Sequence, residues 1–469
     1  MLLRTFSIQT LGCKVNQYES EQVAVVLRSR GMVQVRAAEA DLRIVNTCSV
    51  TTEAAAKSRQ ISRRMLSLPV LGSNDHSPDF LKSGHPGRVI VMGCWATSNP
   101  TEAAELPGVD AILTHHDDVA NQLHRLLNEW TDNDNISHGN TCTYGGIGPG
   151  TTRLPLLDQH QQAQQRAFIK VQDGCDAHCT YCIIPQLRPN LWSKPVEDVV
   201  KEAGRLVACG HKEVILSGIF LSAYGRDTAL RRRQPKDSSL PLGDLISALC
   251  TQIDGLRRVR LSSLEPGDLT DELIAVMRQY PQVVPHFHLP LQCGSDRLLR
   301  RMNRQYGRDD FIRMVDRVNQ AFDRPALTTD IIVGFPGETD EDFNQTLRVV
   351  DHARFIHVHA FVFSARPGTA AARWTDDFVP GPIARQRLAT LTRSADSHGF
   401  SFRQQFVGKT VELLVEQPRF DCPPNHGRCE RYFEVHFDPA NVRPGQAVKV
   451  LIENVTMNRT TGRIVHVLD

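Results

Sequence analysis

The run Cys175-Asp176-Ala177-His178-Cys179-Thr180-Tyr181-Cys182 decides how the chain is read. Its C-x3-C-x2-C spacing offers three thiolates from one short loop. Electron-transfer clusters are generally closed by four cysteines. A four-iron cluster held by three keeps one iron open to a reacting ligand, which points to catalysis. The loop follows the strand-like run Phe168–Gln172, the first of six such runs. The others are Glu213–Ser217, Arg258–Ser263, His286–Leu291, Thr328–Gly334 and Ile356–Ser364. Helical patterns fall between them at Val196–Cys209, Leu242–Ile253, Asp271–Gln279, Asp309–Phe322 and Asp340–His352. Repeated βα units build a parallel barrel whose site lies at the carboxyl face, and six units rather than eight predict an open, partial barrel.

The other strand ends carry polar or glycine-containing words. They are Leu216–Ile219, Ser262–Pro266, Leu289–Ser295, Thr329–Thr339 and Phe363–Thr369. Glycines there allow close approach of backbone to a ligand. Ser217, Gly218, Glu265, Gln292, Gly334 and Arg366 are therefore candidate cofactor contacts. Each alone reads equally well as a turn residue or a helix cap. Their placement on one face carries the functional reading.

Residues 1–130 repeat the same logic with a second set of cysteines. Thr5–Thr10 alternates like a strand and ends in Leu11-Gly12-Cys13, before a helical pattern over Asn16–Arg30. Leu42–Asn46 ends in Thr47-Cys48, before a helix from Thr52 to Leu68. Arg88–Met92 ends in Gly93-Cys94, and Pro100 suits the first turn of a further helix. Alternating strands and helices predict an open parallel sheet. The carboxyl ends of such strands share one edge, where ligands bind. Cys13, Cys48 and Cys94 are thus expected to converge on a second cluster, again with one iron open.

The 469 residues suggest three domains. A formal charge of +2 gives no global basic field, so any nucleic-acid contact must be local. No apolar run is long enough to cross a bilayer, and Met1-Leu2-Leu3-Arg4 does not open a signal peptide. A cytoplasmic enzyme without membrane contact is expected. The twelve cysteines then favour metal or redox chemistry over disulfides. Those outside the two trios read as buried small hydrophobes, and Cys422 and Cys429 lack the two further ligands a zinc site needs. Residues 131–163, with Gly145–Gly150 and a glutamine-rich end, read as a linker. The run Arg231–Lys236 reads as a charged insertion, solvated or in contact with RNA phosphate. In residues 400–469 the runs Phe406–Val415, Arg431–Phe437, Ala447–Ile452 and Gly462–Val467 predict a small β-barrel. Such barrels bind single-stranded nucleic acid with aromatic faces and cations, making Arg428, Arg431, Tyr432 and Phe433 candidate RNA contacts. A barrel that only packs on its neighbour is the alternative.

The cysteine loop, with Val171–Cys175, Tyr181–Pro185, Met302-Asn303-Arg304 and Gly334–Glu338, resembles the core of radical S-adenosylmethionine (SAM) methylthiotransferases. The words Thr10–Ser20, Asn46–Thr51 and Met92–Cys94 resemble that family's N-terminal domain, and residues 400–469 resemble its TRAM module. The resemblance implies an α/β fold of three parts. An open parallel-sheet domain (1–130) is followed, after the linker, by a partial (β/α)6 radical-SAM barrel (164–396) and a TRAM-like β-barrel (400–469). It implies a 4Fe–4S cluster on Cys175, Cys179 and Cys182 that binds SAM, and an auxiliary 4Fe–4S cluster on Cys13, Cys48 and Cys94. The first would generate a 5′-deoxyadenosyl radical, the second would supply sulfur, and a second SAM the methyl group. The first of these words, Thr10–Ser20, is most similar to the branch acting on N6-threonylcarbamoyladenosine beside the tRNA anticodon. That implies a tRNA anticodon loop, an electron donor and a sulfur source as partners, with the enzyme a monomer. Isopentenyladenosine or a ribosomal protein as acceptor, and a non-catalytic iron–sulfur RNA-binding regulator, are the alternatives. Past the third cysteine, Arg188 and Ser193 fit the family pattern whereas Gln186, Pro189 and Trp192 depart from it. The departures remove support for cofactor contacts in that segment and leave the cysteines untouched.

Overall fold

The computed structural model describes residues 3–68, 87–131, 154–157, 166–233, 240–417, 425–438 and 441–468. Most of the expected linker, Cys142, Cys422 and residues 234–236 of the charged insertion lie outside them. The chain divides into two compact units: residues 1–157 with 183–192, and residues 158–182 with 193–469.

The first unit holds a five-stranded sheet. Its strands are β1 (Thr5–Thr10), β2 (Val33–Gln34), β3 (Leu42–Thr47), β4 (Arg88–Gly93) and β5 (Ala111–Leu113), ordered β2-β1-β3-β4-β5 with every pairing parallel. The short β2 and β5 were not foreseen. Helices α1 (Lys14–Ser29), α2 (Thr52–Ser67), α3 (Cys94–Ser98), α4 (Pro100–Ala104) and α5 (Val119–Thr131) connect or flank the strands. Both faces of β4 are buried. Ile90 and Met92 join Phe6, Ile44, Leu27 and Leu123 in one core, and Val89 and Val91 join Trp95, Ala55 and Ala103 in the other. This is why β4 reads as a continuous apolar run rather than an alternating one. Arg43 is fully buried yet satisfied, donating to the carbonyls of Ala37, Met65 and Leu68 and so closing the carboxyl end of α2. One turn of helix, α6 (Ile184–Leu187), also belongs to this unit.

The second unit begins with β6 (Arg166–Asp173) and is re-entered at β7 (Trp192–Ser193). Five further strands follow: β8 (Glu213–Gly218), β9 (Arg258–Leu261), β10 (His286–His288), β11 (Ala326–Val333) and β12 (His357–Val362). β6, β8 and β9 pair in parallel, as do β10, β11 and β12. Parallel bridges Val259–Val283 and Ser263–His288 join the two sets. The six strands therefore follow one another in chain order, and the expected partial barrel is present. Between them run α7 (Val196–Ala208), α8 (Pro241–Gln252), α9 (Asp271–Gln279), α10 (Asp296–Arg301), α11 (Arg308–Ala321) and α12 (Asp340–Ala353). A 24-residue helix, α13 (Gly381–Gln404), follows β12. Five short strands then close a barrel: β13 (Thr410–Val415), β14 (His426–Cys429), β15 (Glu434–His436), β16 (Ala447–Val455) and β17 (Thr460–Val467).

This small barrel packs under the amino ends of the central strands, and the four residues expected to meet RNA all take part in internal contacts. Tyr432 is half-buried. Its ring lies 4.9 Å from that of His286, with the guanidinium groups of Arg166, Arg260 and Arg428 each 4.7–5.2 Å from its centre. Phe433 is buried in the barrel core with Phe402 and Phe406. Arg431 donates to the carbonyls of Asp323 and Arg324, and Arg428 pairs with Glu416 and Glu434. All four are engaged within the protein.

Buried charge ties the two parts together. Arg258 donates to the Glu412 carbonyl, Arg260 to the Glu430 carbonyl, and both pair with Glu213. Burial opposes ionisation of Glu213, but Arg260 and Arg258 outweigh it and hold its carboxyl down to about 2. A carboxyl lowered by folding stabilises the protein above its unfolded pKa and loses that stabilisation as pH falls through the folded value. Glu213→Gln strands two buried guanidinium groups and is expected to cost about 3–5 kcal/mol at neutral pH. The deficit should shrink as pH falls from about 4.5 towards about 2, as denaturant unfolding of both proteins at a series of pH values would show.

Candidate cluster-binding sites

In the first unit the strand ends bring Cys13, Cys48 and Cys94 together. Cys48 and Cys94 directly follow the last residues of β3 and β4, and Cys13 comes three residues after the end of β1, so all three stand at the carboxyl edge of one parallel sheet. Glycine makes two of the turns possible. Gly12 and Gly93 have φ of +98° and +92°. A Cβ on Gly12 would lie 2.9 Å from Cys48 Sγ, and one on Gly93 2.6 Å from the Thr47 carbonyl oxygen. Asn16 stands between the thiols. Its amide nitrogen donates to the carbonyls of Leu11 and Thr47, which leaves its oxygen 3.9 Å from Cys13 Sγ and 4.0 Å from Cys94 Sγ. Ser58 clamps Cys48, accepting from its amide and donating to its carbonyl.

A chain of polar groups reaches Cys94 from the segment after the third cysteine of the C-x3-C-x2-C loop. Arg188 makes a bidentate pair with Glu19 at 2.8 and 2.9 Å, each side chain only 4% exposed. Its second terminal nitrogen is 3.0 Å from His115 Nε2, which is 3.5 Å from Cys94 Sγ. Burial pushes the Cys94 thiol up to about 12, Arg188 opposes that, and Cys13 and Cys48 add to it. Cys13 and Cys48 each disfavour a charged Cys94, so three thiolates here need a cation among them. Their proximity therefore suits a cationic cluster, which displaces the protons as it binds.

The second trio lies on the loop after β6. Gly174, at φ +79°, turns the chain into Cys175. Cys175 Sγ accepts from the Ala177 amide, and the Cys182 amide donates to the Cys179 carbonyl. Burial pushes the Cys175 thiol up to about 12; the Ala177 amide opposes this, and neighbouring Cys182 and Cys179 reinforce it. The donor set again suits a cation. Met302-Asn303-Arg304 holds the loop in place. The Met302 carbonyl accepts from the Thr180 amide, Asn303 donates to the carbonyls of Ala177 and His178, and Arg304 Nη1 donates to Cys179 Sγ at 3.1 Å. The other terminal nitrogen of Arg304 binds both oxygens of Glu265.

That pairing changes the reading of Glu265, which is committed to Arg304 instead of facing a ligand alone. Two glycines are likewise accounted for by packing. A Cβ on Gly218 would meet Gln172 Oε1 at 2.9 Å, and one on Gly334 would meet Ala384 Cβ at 2.7 Å. Ser217 is buried at the end of β8, and among the described residues its Oγ has no hydrogen-bond partner. Gln292, at φ +62°, exchanges backbone hydrogen bonds with Asp330 and Ile332 of β11. Arg366 is buried past the end of β12. Asn16, His115, Glu19 and Ser58 were not singled out from sequence. Asn16 lay in view inside the Thr10–Ser20 word, and His115 follows a strand of three residues too short to stand out.

Two stretches match family models: residues 169–350 that of the radical SAM superfamily, and residues 5–114 that described as uncharacterized protein family UPF0004. The threonylcarbamoyladenosine tRNA methylthiotransferase MtaB of Bacillus subtilis (strain 168) is 31% identical, over 100% of this chain and 98% of that protein. The protein of the same name from Thermotoga maritima is 35% identical over 88% of this chain and 87% of its own. A tRNA-2-methylthio-N(6)-dimethylallyladenosine synthase from Mycolicibacterium paratuberculosis is 36% identical over 96% and 84%. Among solved structures, the radical SAM methyltransferase TsrM of Kitasatospora setae shares the fold, with a TM-score of 0.53 at 13% identity over 89% of this chain and 76% of that one. The chain belongs to the radical SAM methylthiotransferase family, whose cofactors are SAM and 4Fe–4S clusters.

The turn before Cys94 offers a direct check on this geometry. Gly93→Ala would force a side chain into backbone at 2.6 Å, in a conformation whose strain alone is about 1–3 kcal/mol. Gly31→Ala, with φ +81° and nothing within 4 Å, should cost only about 1 kcal/mol. Thermal unfolding of the two variants should separate them clearly.

Proposed function

We propose that the protein transfers a methylthio group to C2 of N6-threonylcarbamoyladenosine next to the tRNA anticodon. The observation that carries this reading is the word Leu11-Gly12-Cys13-Lys14-Val15-Asn16, together with the MtaB proteins that match along most or all of their length. Relatives named for the dimethylallyl nucleoside reach 36% identity, so isopentenyladenosine is the second reading. The enzyme acts as a monomer in the cytoplasm, with an electron donor and a sulfur source as partners. Among the described residues no helix is long and apolar enough to cross a membrane.

Cys175, Cys179 and Cys182 hold the cluster that binds SAM; Cys13, Cys48 and Cys94 hold the auxiliary cluster. When bound, these groups supply a carbon-centred radical that abstracts hydrogen from an unactivated carbon, and the sulfur that is delivered there. The protein's part is to orient and to set charge. Arg304 donates to Cys179 Sγ and stabilises negative charge on the sulfur, while Glu265 fixes the guanidinium plane. Arg188, held by Glu19, presents positive charge beside Cys94 through His115. Ser217, Gln292 and Arg366 at the strand ends supply polar contacts to SAM.

Loss of the 2-methylthio-threonylcarbamoyl nucleoside from the tRNA of a deletion strain, read by nucleoside mass spectrometry, would support the assignment; its persistence would defeat it. Iron analysis tests the two cysteine sets. The anaerobically reconstituted chain should hold about eight irons, and a Cys13→Ala/Cys48→Ala/Cys94→Ala chain roughly four. Arg304→Met removes a cation and a hydrogen bond from Cys179, so its SAM cluster should be harder to reduce, with a more negative midpoint in an EPR titration.

A further inference from the structure

The three strands β10, β11 and β12 carry a group of side chains that neither cysteine trio uses. In parallel register His288 pairs with Thr328, and Asp330 with His359. Side chains alternate along a strand, so His288, Thr328, Asp330, His357 and His359 share one face. On the other face of β11, Leu327, Thr329, Ile331 and Val333 are buried. We propose that His288, Asp330 and His359 form a binding site for a divalent first-row transition metal ion of the iron(II)-to-zinc type.

Three observations carry this. The candidate ligand atoms of the three residues all lie within 4.8 Å of one another. His288 Nε2 and Asp330 Oδ2 are 3.2 Å apart, close to the ~3.3 Å between neighbouring ligands on a tetrahedral ion with bonds of about 2.0–2.1 Å. The second is the hydroxyl that stands behind the His288 ring. Thr328 Oγ1 lies 3.0 Å from His288 Nδ1 and 3.5 Å from the Phe287 carbonyl oxygen. With Nδ1 beside that hydroxyl, Nε2 is the ring nitrogen that faces the Asp330 carboxylate. A ligating histidine whose other nitrogen donates to an oxygen is the usual support of a metal site. The third is the packing of His359. The His357 ring meets it edge-on with centroids 4.5 Å apart, and its own centroid is 5.7 Å from that of His288.

Two imidazoles and one carboxylate suit iron(II), cobalt(II) or zinc better than magnesium or calcium, which prefer all-oxygen sets. Asp330 is 31% exposed and His288 15%, so water can fill the remaining positions. A second cluster of similar make-up, Glu416, His426 and Glu434, is less suited: Glu416 pairs with Arg166 and Arg428, and Glu434 with Arg428 and His436. An ion on the first cluster would link three adjacent strands, including β12 at the end of the series. The inference rests on this geometry and not on the choice of nucleoside.

The test uses the reconstituted holoenzyme, treated with EDTA and equilibrated by anaerobic dialysis against micromolar zinc. About one zinc per chain should be retained, with only nitrogen and oxygen neighbours in its X-ray absorption spectrum. His359→Ala and Asp330→Asn should each weaken retention by at least about 10-fold, and Thr328→Val, which removes only the supporting hydroxyl, by roughly 10-fold. Iron and sulfide contents should be unchanged in all three. No retained zinc, zinc with sulfur neighbours, or equal retention by the variants would overturn the site and leave His288 and Asp330 as a polar contact between two strands.

Discussion

The structure depends on the direction of its strands. In a parallel sheet every strand delivers its chain to the same edge, so residues far apart in sequence meet there without a dedicated scaffold. The first unit uses this to gather Cys13, Cys48 and Cys94 from β1, β3 and β4. At two of these strand ends, and again at the cysteine loop of the second unit, a glycine just before the cysteine makes the turn, whereas Cys48 follows Thr47. Gly12, Gly93 and Gly174 all have φ between +79° and +98°, a region that residues with a Cβ avoid. The same turn precedes a cysteine in both units, although the two trios are built differently: one from three strand ends, the other from a single loop.

A second common feature is electrostatic. Beside each trio lies a bidentate arginine–glutamate pair, Arg188 with Glu19 in one unit and Arg304 with Glu265 in the other. An unpaired guanidinium buried against thiols would be costly to desolvate. A paired one keeps its geometry and still turns N–H groups towards sulfur or towards the group next to it. The glutamates therefore set how much positive charge reaches each cysteine set. This gives a physical reason for the presence of Arg188 in the segment where Gln186, Pro189 and Trp192 depart from the family pattern. Its side chain is fixed by Glu19 and His115, and the identity of its sequence neighbours matters less.

Much of this was legible in the sequence. The strands of the partial barrel and the three cysteine-bearing strands stand out because apolar runs ending in glycine and polar residues have few other readings. The misses have particular causes. Helix α13 begins Pro380-Gly381-Pro382 and is largely polar, so composition hid it. Strands β2 and β5 have two and three residues, below the length at which alternation is detectable. Arg304 was visible only as part of the word Met302-Asn303-Arg304, because its contacts to Cys179 and Glu265 span 125 and 39 residues.

The aromatic and cationic residues of the small barrel show a limit of a different kind. Tyrosine flanked by arginines is what an RNA-stacking surface looks like in sequence, and it is equally what a buried cation–π contact looks like. Here Arg166, Arg260 and Arg428 surround Tyr432 and the His286 ring packs against it at a tilt, while Glu213, Glu412 and Glu416 balance the charge. The arginines come from β6, β9 and β14, so the decisive information is which strand starts lie side by side. That follows from the parallel register of the central strands and not from any local word. The register that brings the cysteine loop to the carboxyl edge also brings Arg166, Arg258 and His286 to the amino edge. There the small barrel packs against them, and the chemistry is left to the opposite edge.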